Sequence, residues 1–329
     1  MDTQSTPKRQ IIITKEAQGN TVVEYLSKRF TYFNSLQWQT EITEGRVLVN
    51  GETPFFDFVL KEKDNLLWQP EPYEEPEVPM EYTILYEDDD FLFIDKPAGL
   101  PCHPSGRFLF HTLWSLLKKK YSHISFINRL DRETSGIVLI AKNSEAAAFA
   151  NLHMSNHSIQ KEYVVLIDGL FPQQLKAYGY LELDESAKIR KKLRFVPATE
   201  TNAPQSSKEN PLSCQTDFEL IQHSTILNGV ERSCSLVRAR IHTGRTHQIR
   251  ASLCSLGWPV IGDKIYGQDE GLFLKFIEGS LTSSDKEILA LEYQALHCSR
   301  MCLPRTDSTY TEVTSRVPQA WILAPHPYR

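Results

Sequence analysis

The chain has 329 residues, 41% of them hydrophobic, with 36 Lys and Arg against 41 Asp and Glu, a formal net charge of −5. That is enough apolar material for one large and one small domain, and the acidic total excludes nucleic-acid binding through overall charge alone. No apolar run reaches the length of a membrane span, the first residues lack the apolar core of a signal peptide, and the six cysteines show no tight pairing pattern. The expectation is a reduced, cytoplasmic monomer with no membrane partner.

Residues 1–13 are polar and predict a disordered tail. Thr21–Phe30 has helical apolar spacing. Ser35–Ile42 predicts a second helix with Ser35 as its N-cap. Gly45–Glu52 predicts a strand that ends in an Asn-Gly turn. These elements define a small module over residues 14–69. Residues 70–80, with prolines among acids, predict an extended linker. From residue 81 onward lie strands at Tyr82–Tyr86 and Phe91–Ile94, a helix starting at His111, and a short β-branched strand at Ile137–Ala141. A helix over Glu145–Met154 follows, capped by Asn143 or Ser144. Further strands are predicted at Glu162–Ile167, Tyr178–Leu183, Gln215–Ile221 and Ser235–Ile241, with a polar loop at Asn202–Asn210. Thr243 then caps a helix carrying Arg245, Gln248 and Arg250. Strands and helices do not alternate strictly, so the large domain, 81–329, is α+β. A mixed, largely antiparallel sheet flanked by helices and loops is expected.

Charge is unevenly spread. Glu71–Asp90 holds a run of acids and no Lys or Arg, whereas Ser235–Arg250 carries Arg238, Arg240, Arg245 and Arg250 and no acid. Lys188–Arg194 and Lys118–Lys120 are further basic runs. A polyanion needs a basic face, not a basic total. His297, Cys298 and Cys302 are half a metal-ligand set that nothing completes, so no metal is expected.

The most informative stretch is Asn128-Arg129-Leu130-Asp131-Arg132-Glu133-Thr134-Ser135-Gly136, just before the apolar strand. It places Asp131 on a loop entering the core, where a side chain is both held and presented. The flanking arginines are expected to keep it ionised. Such an Asp is a nucleophile, a general base or half of a structural ion pair. Two other segments stand out. One is Phe93-Ile94-Asp95-Lys96-Pro97-Ala98-Gly99-Leu100-Pro101-Cys102-His103-Pro104-Ser105-Gly106. The other is Thr243-Gly244-Arg245-Thr246-His247-Gln248-Ile249-Arg250, followed by Gly262-Asp263-Lys264-Ile265-Tyr266-Gly267.

In this order the three segments resemble the motifs of the RluA-type pseudouridine synthases, from about Tyr82 to near His297. Residues 14–69 resemble the alpha-L RNA-binding domain. The resemblance implies an RNA pseudouridine synthase fold and an isomerase that needs no cofactor. Its partner would be structured RNA, with large-subunit ribosomal RNA favoured and transfer RNA the alternative. Asp131 matches the essential aspartate, Arg250 the basic residue that pairs with it, its fork holding both carboxylate oxygens, and Tyr163 the active-site tyrosine. Tyr163 would stack on the base, and its hydroxyl would assist proton removal from carbon 5. Arg129 resembles the residue that fills the space left by a flipped nucleotide. Arg245 and His247 would meet phosphate at a helix start or buttress Arg250, Ile249 would line the uracil pocket, and Lys96, His103 and Pro104 would shape the floor or contact RNA. Lys28, Arg29 and Arg46 would contact RNA from the small module. Two positions depart from the family pattern: Asn128 and Ser252 stand where His is common. A non-catalytic RNA-binding or ribosome-assembly factor is a competing reading, disfavoured because Asp131, Tyr163 and Arg250 all persist. A hydrolase using Asp131 with Glu133 is weaker still.

Overall fold

A computed structural model describes residues 8–30, 33–71, 74–106, 108–189, 192–198 and 212–321. The polar loop at 202–210 lies outside the described residues. The chain divides into two compact units, Met1–Pro76 and Glu77–Arg329.

The N-terminal unit comprises β1 (Arg9–Ile12), α1 (Val22–Arg29), α2 (Ser35–Thr43), β2 (Val47–Val49) and β3 (Asn65–Trp68). The strands pair antiparallel in the order β1-β3-β2. The unit is therefore α+β in the strict sense. Strand β1 corrects the expected disordered tail, because Arg9–Ile12 supplies an edge of this sheet. Both helices open on capping boxes, Thr21 with Glu24 and Asn34 with Gln37. The cap of α2 is thus Asn34, not Ser35. The Asn34 carboxamide accepts the Gln37 N–H at 2.9 Å, one position before the expected cap. Asn50 and Gly51 both take positive φ, as the Asn-Gly turn requires. Trp38, Leu26, Ile42, Leu66 and Trp68 form a core of the unit's own.

In the C-terminal unit, β4 (Thr83–Glu87) and β5 (Phe91–Lys96) precede α3 (Leu113–Lys118), β6 (Ser125–Phe126) and β7 (Ser135–Ala141). Then come α4 (Ser144–Ser155), β8 (Gln160–Asp168), β9 (Gln174–Leu183), β10 (Leu193–Pro197), β11 (Leu212–Leu227) and β12 (Val230–Ile241). The remainder is α5 (Gln248–Ser255), α6 (Gly271–Glu278), α7 (Ser283–Leu289), β13 (Leu296–Pro304) and β14 (Tyr310–Thr314). The sheet runs β10-β9-β11-β12-β8-β13-β7-β5-β4, with β14 against β13 and β6 against β7. Among the described residues its only parallel pairing is β13 with β7, so the sheet is mixed and largely antiparallel.

Strand β7 is buried along its whole length. Burying each of its branched side chains stabilises the fold by roughly 1.5–3 kcal/mol. This explains an unbroken apolar run where a half-exposed strand would alternate. The run begins at Gly136, φ +106°, where a Cβ would lie 2.3 Å from the Cys298 carbonyl oxygen. Only glycine lets β13 approach β7 here. Gly136→Ala should therefore cost about 3 kcal/mol or more, from overpacking plus left-handed strain. A urea melt reads this as a lower midpoint, and an unchanged midpoint would contradict the close approach.

Candidate active site

A cleft of about 1010 Å³ opens in the C-terminal unit. Its walls are the Pro101–Phe108 loop, the loop between β6 and β7, the end of α4, the start of β8 and residues 244–250. Asp131 is the only carboxylate among the described lining residues, which include the cations Arg129, Arg132, Lys161, Arg245 and Arg250.

Contacts on both sides hold the Asp131 loop. Thr134 N–H donates to the Asp131 carbonyl at 3.1 Å. The Asn128 carboxamide accepts from Leu139 N–H at 2.8 Å and donates to the Ile137 carbonyl at 3.3 Å, fastening the loop to β7. Asn128 thus has a backbone-bracing role. From below, Lys96 Nζ donates to the carbonyls of Pro97, Leu100 and Arg132, at 2.8, 2.8 and 3.1 Å. Lys96 is fully buried, which rules out the RNA contact considered for it and leaves it as part of the floor. Burial lowers its pKa to about 8.

The charge partner of Asp131 comes from α5. Arg250 Nη1 donates to Asp131 Oδ2 at 2.8 Å. The two-pronged bond expected between them goes elsewhere: Arg250 Nε and Nη2 meet Asp263 Oδ2 and Oδ1 at 2.6 and 2.9 Å. Asp263 is fully buried and also accepts the N–H groups of Ile265 and Tyr266, both at 2.9 Å. Burial opposes its charge, but Arg250 and these bonds outweigh burial and hold its carboxyl below the ordinary value. Arg250 is likewise buried, and the two carboxylates hold its pKa above the usual range despite that burial. The flanking arginines do not pair with Asp131. Arg132 Nη2 meets Glu133 at 2.8 Å, and Lys264 takes that residue's other oxygen at 2.8 Å. Glu133 is therefore committed and unavailable as a second catalytic acid. Arg129 lines the cleft without an ion pair among the described residues.

Around this pair, Tyr266 stacks on the Arg250 guanidinium, 5.0 Å from the ring centre. Its hydroxyl accepts Leu193 N–H at 3.1 Å and sits 3.0 Å from His247 Nδ1. With the hydroxyl proton directed to Nδ1, the neutral ring carries its own proton on Nε2, which lies 3.7 Å from Asp131 Oδ1. Burial, then Arg250, lowers the His247 pKa and keeps it neutral. Tyr163 is buried on β8, opposite Cys298 of β13. Burial, reinforced by Cys298, raises its hydroxyl well above the ordinary value. At neutral pH it is therefore protonated and available as a hydrogen-bond donor. His103 packs on Phe126 at 4.3 Å, and its buried Nδ1 has no hydrogen bond among the described residues.

Thr243 does not cap α5. The helix starts at Gln248, after His247 in a left-handed conformation, φ 57°. The Gln248 side chain organises the preceding turn. It accepts from Thr243 Oγ1 at 2.8 Å and Arg245 N–H at 3.0 Å, and donates to Gln215 O and Thr216 Oγ1, both at 3.0 Å. Arg245 and His247 consequently precede the helix. Ile249 lines the cleft, while Ser252 is buried on α5. Asp131, Tyr163, Arg250, Arg129, Arg245, His247 and His103 are thus brought together. Lys28, Arg29 and Arg46 belong to the N-terminal unit. There Lys28 bonds Asn20 at 3.0 Å, Arg29 lies over the Phe30 ring, and Arg46 is engaged by Glu41, Glu44 and Glu71. That engagement withdraws Arg46 from the RNA contact expected of it.

A family model described as RNA pseudouridylate synthase matches residues 90–255, half of the chain. A relative from Chlorobaculum parvum, an uncharacterized RNA pseudouridine synthase, is 31% identical over 88% of this chain and 88% of its own length. The chain belongs to the RNA pseudouridylate synthase family. This synthase is an isomerase by that membership. It is 26% identical to the ribosomal large subunit pseudouridine synthase D of Zymomonas mobilis, over 90% of this chain and 89% of that protein. It is 30% identical to the mitochondrial tRNA pseudouridine(32) synthase of Saccharomyces cerevisiae, over 76% of this chain but only 51% of that one. Human RNA Pseudouridylate Synthase Domain Containing 1 shares the fold, with a TM-score of 0.55 at 23% identity, covering 74% of the synthase and 86% of that chain. No helix among the described residues is long and apolar enough to cross a membrane.

Asp263→Asn should leave Arg250 short of one charge and destabilise the synthase by about 3–5 kcal/mol at neutral pH. The pH dependence has a definite sign. A depressed carboxyl contributes stability that is complete above its unfolded pKa, about 4, and is lost as pH falls toward the folded value. Melts through that acidic range should fall less steeply for Asp263→Asn than for the parent; equal slopes would sink the assignment.

Proposed function

We propose that the synthase isomerises uridines in structured RNA to pseudouridine at Asp131, and that large-subunit ribosomal RNA is its substrate. The observation that carries this reading is a single carboxylate in a cationic cleft. Asp131 is held at Oδ2 by a buried arginine, while Oδ1 has no hydrogen bond among the described residues. In the reaction, the bond between uracil N1 and ribose C1′ breaks, the base turns, C5 bonds to C1′, the C5 proton departs and N1 gains a proton, so the product is an isomer. No electrons are exchanged with another reactant. Asp131 would start this either by attacking the ribose or base, or by taking a ribose proton. Both routes need an ionised, fixed carboxylate, which Arg250 and the Asp263 anchor support.

Tyr163 would stack on the detached uracil, and its protonated hydroxyl would donate a hydrogen bond to it. Ile249 would close the apolar side of the uracil pocket. Arg129 would occupy the gap left in the RNA when the uridine is extruded, a step that costs a few kcal/mol and least in loops. Lys28 and Arg29 of the N-terminal unit would add backbone contacts in an alpha-L-like manner. The ribosomal preference is supported by the near full-length similarity to a ribosomal large-subunit synthase. A transfer RNA substrate is the second reading, favoured by the similarity to the yeast enzyme.

Transcripts labelled with tritium at uracil C5 test both points. Release from ribosomal RNA, exceeding that from transfer RNA, is expected of the parent. Asp131→Asn should reduce it by roughly a thousandfold or more, with the melting curve and RNA affinity preserved. Turnover retained by this variant would falsify the assignment of Asp131.

A further inference from the structure

Successive side chains on β8 face opposite sides of the sheet. Glu162 lies on one side, where Arg240 Nε and Arg300 Nη1 approach it to 3.1 and 3.2 Å. Lys161 and Tyr163 take the other and line the cleft. The only hydrogen bond of Lys161 Nζ among the described residues is to the thioether Sδ of Met154, at 3.3 Å, a weak acceptor. Lys161 forms no ion pair with a described carboxylate, since Asp131 is taken by Arg250. A Cβ added to Gly244 would lie 3.5 Å from Nζ, so the ammonium rests against the backbone just before Arg245. Arg245 uses Nε on the Ser213 carbonyl at 3.2 Å, which leaves both Nη groups without a bond among the described residues.

Two cations therefore flank Gly244 at one end of the cleft, and no carboxylate among the described residues answers either. A partly buried ammonium without an anion is costly. Burial also draws the Lys161 pKa below the ordinary lysine value. A ligand that brings its own negative charge removes that cost.

We propose that Lys161 and Arg245 form a phosphate-binding subsite that grips the RNA backbone phosphate next to the nucleotide lying at Asp131 and Tyr163. The chemistry favours phosphate over a base edge. A phosphodiester offers two charged non-bridging oxygens, which suit one point-charge ammonium and one guanidinium fork. A base edge is neutral and would leave both positive charges unanswered, whereas a phosphate offsets them. The inference rests on the cleft being the nucleotide site. It also separates the two neighbouring residues of β8 by role, Tyr163 for the base and Lys161 for the backbone.

The test is binding, which does not require turnover. A fluorescent short oligouridylate is titrated against the parent, Lys161→Met and Lys161→Arg over a range of salt concentrations. Methionine keeps the stem packing and removes the charge. Lys161→Met should bind about tenfold or more weakly, and its slope of log affinity against log salt should be shallower by about 0.7. Lys161→Arg should keep most of both. Probes with one neutral methylphosphonate linkage, moved along the strand, supply a measurement that needs no variant. One linkage should carry most of the loss in the parent, and Lys161→Met should be indifferent to it. An unchanged salt slope, no binding by the parent, or equal losses at every linkage would overturn the subsite. Loss of tritium release with the phosphate effect intact would instead strike the catalytic reading and leave the subsite standing.

Discussion

Everything in the cleft depends on one guanidinium shared between two carboxylates. Arg250 gives two nitrogens to Asp263, which is buried, and one to Asp131, which is partly open. The unequal split has a physical logic. Asp263 is fixed by two backbone N–H groups and cannot turn, so it sets the plane of the guanidinium. That plane then determines where Asp131 can sit. The trio carries one net negative charge, and the solvent-facing member is where it is available. Tyr266 covers the guanidinium face and, through its hydroxyl, orients His247 toward the same carboxylate.

The segments that converge here do different mechanical work. Lys96 ties its own turn to the Arg132 carbonyl, and Gly99 N–H bonds the same oxygen at 2.8 Å, so the first motif clamps the second. Gln248 plays the corresponding part for the third, knitting the turn before α5 to β11. The cleft is cationic although the chain is acidic overall. Charges that might have offset it are matched on other surfaces: Glu162 and Glu219 answer Arg238 and Arg240, Glu312 answers Arg300, and Glu41 answers Arg46. Local pairing of this kind turns a modest negative total into a surface that can still draw a polyanion to one place.

Features with a local cause were legible in the sequence. The run Ile137–Ala141 announces a strand buried on both faces, and Asn143 announces a cap. Asp131, Tyr163 and Arg250 were identified through motif resemblance. Features created by distant partners were not visible. Asp263 lay inside a quoted motif, but nothing local shows that Arg250 would turn its fork inward to meet it. Thr243 has the chemistry of a cap, yet Gln248 captures its hydroxyl and delays the helix. Nothing local shows that His297 Nδ1 would lie 2.9 Å from Ser135 Oγ, 162 positions away. A missed signal did exist at Asn228-Gly229, the tight turn joining β11 to β12, where both residues take positive φ. For Lys161, only the alternation along β8 reveals that it shares a face with Tyr163.

The approach of β13 to β7 at Gly136 has a consequence in time. Ser135 and His297 are 162 positions apart, and β13 is the strand that joins β7 to β8. The Asp131 loop has β5 and β6 beside β7 from early in the chain, but the edge of β7 that β13 covers stays open until β13 has followed. Contacts so far apart in sequence form late and slowly. The pair at the heart of the cleft, Asp131 and Arg250, is itself 119 positions apart, so the site is completed by late, long-range contacts and not by any one segment.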